Sequence, residues 1–382
     1  MKRSLIALAL GTFALGITEF GMMGILSDVA DSLQVSIVQA GHLISTYSLG
    51  VAVGSPLLLF LRKMPLKTVM IVLSLVIFGG NLLAALLPNY TTLLCARFIA
   101  GLPHGAYFGA GAIVCSRIAE QGRGAQAVAF MVAGMTVANV IGVPSSTFLT
   151  HLFNWRVAFG GVALIGLFTF LCLRNWLPYL PALPDQGLKG QFNFLRKPAP
   201  WLIYTGIFFG QASVYCWFSY VEPMMTQISG FSSASMTWIM MLAGLGMVTG
   251  NLSAGKLADR YRPSLVSGCI AASLMVVMPL IYVLSPFKIP SLALTFLATG
   301  ALFGIGGPLQ YLIVRYSKGG EMLGGAGIQI AFNVSNAVSV SIGGLAIDHG
   351  FGLASPALVG VPFCIVGAVA LFWLYGKYDR VA

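Results

Sequence analysis

The sequence predicts an all-α polytopic membrane protein in which twelve spanning helices form two six-helix repeats. Three observations carry that prediction. Hydrophobic residues make up 58% of the 382 and charged residues only 8%, against roughly 25% charged in a soluble protein. Walking the chain gives about twelve segments with the ~20 mostly apolar residues that a bilayer crossing needs. Finally, 18 of the 21 Lys and Arg fall in tails and alternate connections that share one side, with only Arg156 and Lys288 on the other and Arg97 inside a span. The positive-inside rule then places both termini in the cytoplasm.

The first span, 5–26, follows Met1-Lys2-Arg3 and imitates a signal peptide. No small-residue cleavage site follows it and Glu19 lies in its continuation, so it reads as uncleaved. The second span, 39–61, contains Gly50 and Gly54 and ends near Arg62 and Pro65. Spans three and four, 67–87 and 92–115, are separated by the turn signal Pro88-Asn89-Tyr90. Spans five and six cover 125–149 and 157–177. The longest polar interruption, 178–200, comes next, with Pro178, Pro181, Pro184, Asp185, Lys189, Arg196, Lys197 and Pro198. It reads as a cytoplasmic linker between an N-terminal bundle, 1–177, and a C-terminal bundle, 201–382.

The second bundle holds spans 201–224, 235–256, 265–284, 291–314, 322–346 and 354–376. It echoes the first. Gly246 and Gly250 precede Arg260 and Pro263 as Gly50 and Gly54 precede Arg62 and Pro65. Arg97–Gly111 and Thr299–Gln310 are both Gly-rich, and Ala138-Asn139 in the fifth span matches Ser335-Asn336 in the eleventh. Two such repeats place a binding site between them, near mid-bilayer.

Composition also excludes functions. The net charge of +11 would point to nucleic acid on a soluble protein. Here the basic residues are topology-setting loop charges, so no nucleic-acid partner is expected. All six cysteines lie in apolar stretches without a CxxC pair, which argues against metal or disulfide chemistry. No paired carboxylates, metal cluster or nucleophile–base spacing marks an enzyme, and no GxxxxGK[ST] sequence marks ATP driving. No cofactor is expected. The short central linker carries no binding module, which disfavours a receptor or scaffold.

An ionisable group inside a span is expensive and is by default a functional candidate. Glu19, Arg97, His104 and Glu222 qualify. Glu19 shares a helical face with Thr12, Gly16 and Met23. Low dielectric there disfavours the charged carboxylate and lets it hold a proton; the alternative is a structural hydrogen bond to a neighbouring helix. Arg97 opens the fourth span with His104 seven residues on, on the same face. Arg97 pairs with Glu19, holds an anionic group, or snorkels to the outer interface. His104 has a side chain able to titrate near physiological pH.

Gln211, Tyr215, Ser219 and Glu222 form a stripe on the seventh span, with Trp217, Phe218 and Tyr220 around it. It is either substrate-facing or an interfacial aromatic belt with a carboxylate. The eleventh span carries Gln329, Asn333, Asn336 and Ser339 at helical spacing. Lipid cannot satisfy three amides, so they face a wet, sugar-like or drug-like substrate or act as interhelical glue. Gly134, Ala138 and Gly142, followed by Pro144, form a small-residue face for close packing, which in a two-state carrier serves as the hinge between halves.

Gly255-Lys-Leu-Ala-Asp-Arg-Tyr-Arg262, between the eighth and ninth spans, resembles the GxLaDrxGrk loop signature of the major facilitator superfamily. Arg97-Phe-Ile-Ala-Gly101 resembles its fourth-span RxxxG motif. Residues 134–144 are similar to the fifth-span motif of the drug/proton antiporter branch, with the GP pair split as Gly142-Val-Pro144. Thr18-Glu19-Phe20-Gly-Met-Met-Gly-Ile-Leu26, together with Ala199-Pro200-Trp201, Trp217–Glu222 and Ser229-Gly-Phe231, extends the resemblance to sugar-efflux and arabinose-efflux permeases across essentially the whole chain. The first-half loop copy departs from the signature as Leu59-Phe-Leu-Arg62-Lys-Met-Pro65, without an acid.

The resemblance implies a monomeric, multi-pass protein of the bacterial inner (plasma) membrane that exports a small-molecule substrate against protons by alternating access. It assigns the proton to Glu19, with Arg97 as its charged neighbour, and a cytoplasmic gate to Asp259, Arg260 and Arg262. Asp28 lies too near the outer surface to serve as a second buried proton carrier. The competing expectation is a proton-independent facilitator or importer of a sugar or other metabolite.

Overall fold

Each apolar run becomes a helix, because in lipid the backbone can satisfy its N–H and C=O groups only within the segment. The computed structural model describes residues 2–57, 61, 63–120, 124–182, 192–318 and 320–380. Leu59, Phe60, Arg62, Arg123, Pro184, Asp185 and Lys189 lie outside the described residues. Among those described there is no β-strand.

The first six passes are α1 (Lys2–Phe20) with α2 (Leu26–Leu33) beyond it, α3 (Ile37–Gly54), α4 (Leu66–Leu86), α5 (Tyr90–Gly101) continued by α6 (Pro103–Ile118), α7 (Gly124–Val137) continued by α8 (Val143–Leu152), and α9 (Trp155–Trp176). The second six are α10 (Pro198–Phe218) with α11 (Val221–Gln227), α12 (Met236–Arg260), α13 (Pro263–Leu284), α14 (Lys288–Tyr316), α15 (Glu321–Asp348) and α16 (Ser355–Leu374).

Among the described residues, ten of these passes are long and apolar enough to cross a membrane. The helices α3 and α10 are not among the ten, and both carry polar side chains. Ser45, Tyr47 and Ser48 ride on α3, and Gln211, Ser213 and Tyr215 on α10, and all six are buried. Both helices pack on α15, so their polar faces meet protein instead of lipid.

Several passes are interrupted where the sequence reads as one run. The first span does not continue smoothly to residue 26. It tightens at Gly21–Gly24 into a 3₁₀ turn, and α2 follows as a separate cap helix. Pro103 has no N–H to donate, so the fourth pass breaks between Gly101 and Pro103. Pro144 has the same effect on the fifth, where Ala138–Gly142 widens into a π turn. The seventh pass breaks at Ser219–Tyr220, just ahead of Pro223.

The repeat visible in the glycines is a repeated contact. Gly50 and Gly54 of α3 lie against the carbonyls of Phe98 and Leu102, and Gly246 and Gly250 of α12 lie against those of Phe296 and Gly300. A Cβ at any of these positions would overlap a neighbouring carbonyl that cannot rotate away. We therefore expect Gly54→Ala and Gly250→Ala each to cost about 1–3 kcal/mol, seen as a lower melting temperature in detergent. Gly79→Ala, with open space around it, should leave the melting temperature unchanged.

The small-residue face of the fifth pass does not lie between the two sets of six helices. Gly134 packs on Ala9 and Thr12, Gly142 on Phe13 and Ile17, and Ala138 faces Gly16, all on α1. Thr12 Oγ1 donates to the Met131 carbonyl at 2.5 Å on the same seam. The expected hinge is thus a seam within the first six passes. The contact to the second six uses the other side of the π turn, where the Asn139 carbonyl meets Gly244 of α12. On the opposite flank α3 packs on α15, and Ser45 Oγ donates to the Ala337 carbonyl at 3.1 Å.

Candidate functional site

The side chains that sequence reading singled out in the first and fourth passes meet. Glu19 sits one residue from the end of α1 and is 1% exposed. Neither of its carboxylate oxygens has a hydrogen-bond partner in the protein. His104 Nε2 approaches Glu19 Oε2 at 3.8 Å, and its Nδ1 lies 2.8 Å from the Tyr47 hydroxyl. The imidazole stacks on Phe108, with ring centroids 5.3 Å apart.

Arg97 does not snorkel. It is fully buried. Its Nη1 donates to the Thr18 carbonyl at 2.9 Å and its Nε to the Leu43 carbonyl at 3.3 Å. The guanidinium lies over the Tyr47 ring at 4.5 Å and the Phe159 ring at 5.4 Å. The Thr18 carbonyl is available because α1 ends two residues later, and terminal carbonyls have no intrahelical donor. Arg97 thus caps α1 while placing its charge within electrostatic reach of Glu19. Tyr47 ties the group together, contacting both Arg97 and His104. Sequence reading passed over it because a tyrosine in an apolar run carries no special signal.

The candidates in the second six helices divide. Gln211 Nε2 donates to the Leu302 carbonyl at 3.0 Å, leaving Oε1 without a partner. The Tyr215 hydroxyl also has none, lies within electrostatic reach of Glu19, and its ring meets Phe332 edge-on at 5.4 Å. Asn333 Nδ2 donates to the Gln329 carbonyl at 3.0 Å, while Asn333 Oδ1 and both side-chain amide atoms of Asn336 are buried and unpartnered. Asn139 Oδ1, on the π turn, joins this group. Buried polar atoms are nearly always bonded, which makes these unpartnered atoms the candidates for contact with a polar ligand.

Two candidates leave the group. Trp217 Nε1 donates to the Met224 sulfur at 3.0 Å, and the ring packs on Phe218. It is a core anchor of the break between α10 and α11. Glu222 turns to the cap helix α2, on the side opposite the termini, where its Oε2 accepts the Ser27 N–H at 2.8 Å. The stripe from Gln211 to Glu222 is interrupted because the helix breaks at Ser219–Tyr220.

Close contacts gather at one end and a cavity at the other. On the side away from the termini, Glu222 meets Ser27, Gly24 meets Met240, and Gly41 and Gly344 both meet Tyr220. On the side that bears the termini, a cavity of about 360 Å³ separates Ser55, Phe108 and Met131 from Gln310, Ala326 and Gln329. Its lining includes Gly105, the residue after His104.

Asp259, Arg260 and Arg262 are exposed and line a separate cavity of about 670 Å³ with Pro308, Tyr311, Arg315 and Tyr375. All the residues lining it come from the second six helices. Beside it, buried Asp379 accepts the Ser264 hydroxyl at 2.6 Å and the Ser264 N–H at 3.2 Å, with Arg315 Nη1 at 3.8 Å. Asp379 therefore caps the start of α13 and ties the twelfth pass to the ninth and tenth. An acid in a terminal tail gives no hint of this in the sequence.

Comparison with known proteins follows the same lines. A family model described as the Major Facilitator Superfamily matches residues 8–328. AraJ of Escherichia coli (strain K12), which is named as a transporter, is 42% identical over 381 residues, covering 100% of this chain and 96% of that protein. The inner membrane transport protein YdhP of the same strain is 32% identical over 372 residues, covering 97% and 95%. Among solved structures, a bacterial homologue of the human lysosomal transporter Spinster, inward-facing and occupied, superposes with a TM-score of 0.75 at 15% identity, covering 98% of this chain and 97% of that one. A D-xylose–proton symporter gives the same values.

Proposed function

Because this chain belongs to the major facilitator superfamily, and is therefore a multi-pass membrane transporter and not an enzyme, we propose that it exports a sugar or small polar, drug-like molecule in exchange for protons. The supporting observation is Glu19: a buried carboxyl group without a hydrogen-bond partner, beside His104 and within electrostatic reach of Arg97. The bundles are 1–177 and 201–382, joined by 178–200. The side bearing the termini is the cytoplasm and the membrane is the inner membrane, in line with the positive-inside charge pattern and the name of the relative YdhP.

A proton on Glu19 and a substrate among Gln211, Tyr215, Asn333 and Asn336 drive transport only if each prefers a different state. In the cytoplasm-facing form the substrate enters past Gln329 and competes with the protonated form of Glu19. Release outside accompanies reprotonation. His104 positions the carboxylate, and Tyr47 orients His104. Asp259, Arg260 and Arg262 act within the C-terminal bundle, gating the cytoplasmic mouth through the α12–α13 connection.

The test is transport by the purified protein in liposomes loaded with a candidate sugar. Export should follow an imposed ΔpH and stop when an ionophore collapses it; flux indifferent to ΔpH identifies a facilitator instead. With the substrate in hand, Asn336→Ala should raise KM by roughly ten- to hundred-fold while the proton-to-substrate ratio stays constant. An unchanged KM would return Asn336 to interhelical packing.

A further inference from the structure

The hydrogen bond between Glu222 and Ser27 crosses from one bundle to the other on the exterior face, away from the Glu19 cluster. Ser27 lies in the first turn of α2, where N–H groups have no intrahelical acceptor. An ionised carboxylate there also meets the positive end of the helix dipole. Glu222 begins α11 and is 1% exposed. The Ser27 N–H donates to its Oε2 at 2.8 Å, while the Thr226 hydroxyl, which donates to the Glu222 carbonyl at 2.9 Å, lies 3.4 Å from Oε1. The opposite bundle thus supplies the short hydrogen bond to this carboxylate.

We propose that Glu222 is a second proton-responsive group: its ionised carboxylate latches α11 to α2 and keeps the outer face shut, and protonation from outside releases it. The proposal rests on the alternating-access reading above and adds a second acid to the transport cycle. A neutral carboxyl is the weaker acceptor and loses the attraction to the helix dipole.

The surroundings suit this role. α11 packs on the turn Gly21–Gly24, which has no titratable side chain, and on α2, which carries Asp28 and Asp31. Asp28 is the neighbour that acts electrostatically on Glu222. His151 of α8 reaches Asp28, with Nε2 to Oδ2 at 3.4 Å. Burial raises the Asp28 carboxyl above its ordinary range, and His151 pulls it back. A cavity of about 420 Å³ opens beside Asp28, His151 and Ser233. Two neighbouring carboxylates disfavour joint ionisation, so acidification outside loads this corner with protons and weakens the latch.

Ser32 on α2 and Ser233 ahead of α12 are exposed and stand on opposite bundles. Spin labels on Ser32→Cys and Ser233→Cys, with the exposed Cys95 and Cys269 replaced, read the outer opening by pulsed dipolar spectroscopy of the reconstituted protein. The wild type should show a short distance at mildly alkaline pH and a growing long component on acidification. Glu222→Gln should show the long component already at alkaline pH, with the open-to-closed ratio raised roughly ten- to hundred-fold and little further response to acid. Ser27→Pro removes the donor N–H together with the Ser27 hydroxyl, is tolerated in a first turn, and should give the same shift without changing Glu222 itself. Wild-type distances in both variants, or an acid response in Glu222→Gln equal to the wild type's, would overturn the proposal. The readout needs no substrate. A latch that fails here while Glu19→Gln still uncouples transport removes Glu222 alone, and retained coupling in Glu19→Gln removes the exchange reading instead.

Discussion

Glu19→Gln should retain substrate exchange but lose ΔpH-driven export, by on the order of 100-fold. The substitution keeps the shape of the side chain and removes its ability to take up and release a proton. It sacrifices no hydrogen bond, because neither oxygen of Glu19 has a partner in the protein. It also removes the desolvation cost of a buried charge, so the melting temperature should hold or rise. Counterflow of labelled substrate across liposomes with no imposed gradient should therefore continue. A loss of counterflow together with coupling would mean that Glu19 binds substrate directly. His104→Gln offers a contrast: it keeps polarity beside Tyr47 and should slow transport without abolishing coupling.

Arg97→Met should be the most damaging single substitution in the cluster, costing about 3–5 kcal/mol. It strips the Thr18 and Leu43 carbonyls of their donors, removes the cation stacked on Tyr47 and Phe159, and leaves Glu19 without its nearest positive charge. Arg97→Lys should recover only part of this, since one ammonium cannot span two carbonyls and stack on two rings at once. Adding Glu19→Gln to Arg97→Met should restore some stability, because the carboxylate is then no longer uncompensated. Thermal melts of the wild type, Glu19→Gln, Arg97→Met and the double variant form a double-mutant cycle. A coupling free energy near zero would mean that Arg97 serves only to cap α1.

The sequence announces what lipid forbids and stays silent on what backbone supplies. Glu19, Arg97 and His104 were legible because ionisable groups are rare in apolar runs, and the structure brings them together. The paired glycines were legible as a repeat because both copies need a carbonyl to approach a bare Cα. The breaks after Phe20 and Phe218 were not, since apolar composition runs straight through them. The partner of Glu222 was hidden for that reason. Its partner is a backbone N–H 195 residues away, and a backbone donor has no side-chain identity to read. Trp217 reads as a ligand platform by type, yet its indole is satisfied by Met224, seven residues on and across the helix break. The face formed by Gly134, Ala138 and Gly142 correctly signals close packing, but nothing in its spacing says that α1, and not α12, is the neighbour.

The central claim is that proton movement and substrate movement are one process, routed through Glu19. The direct measurement uses liposomes that trap a pH-sensitive dye, wild type beside Glu19→Gln, with sugars, nucleosides and lipophilic cations added in turn under an imposed ΔpH. The account predicts that at least one compound makes the dye report proton flux in the wild type and none in the variant. A compound that crosses the membrane in both proteins while the dye stays still would contradict it, leaving a facilitator in which Glu19 is a structural residue.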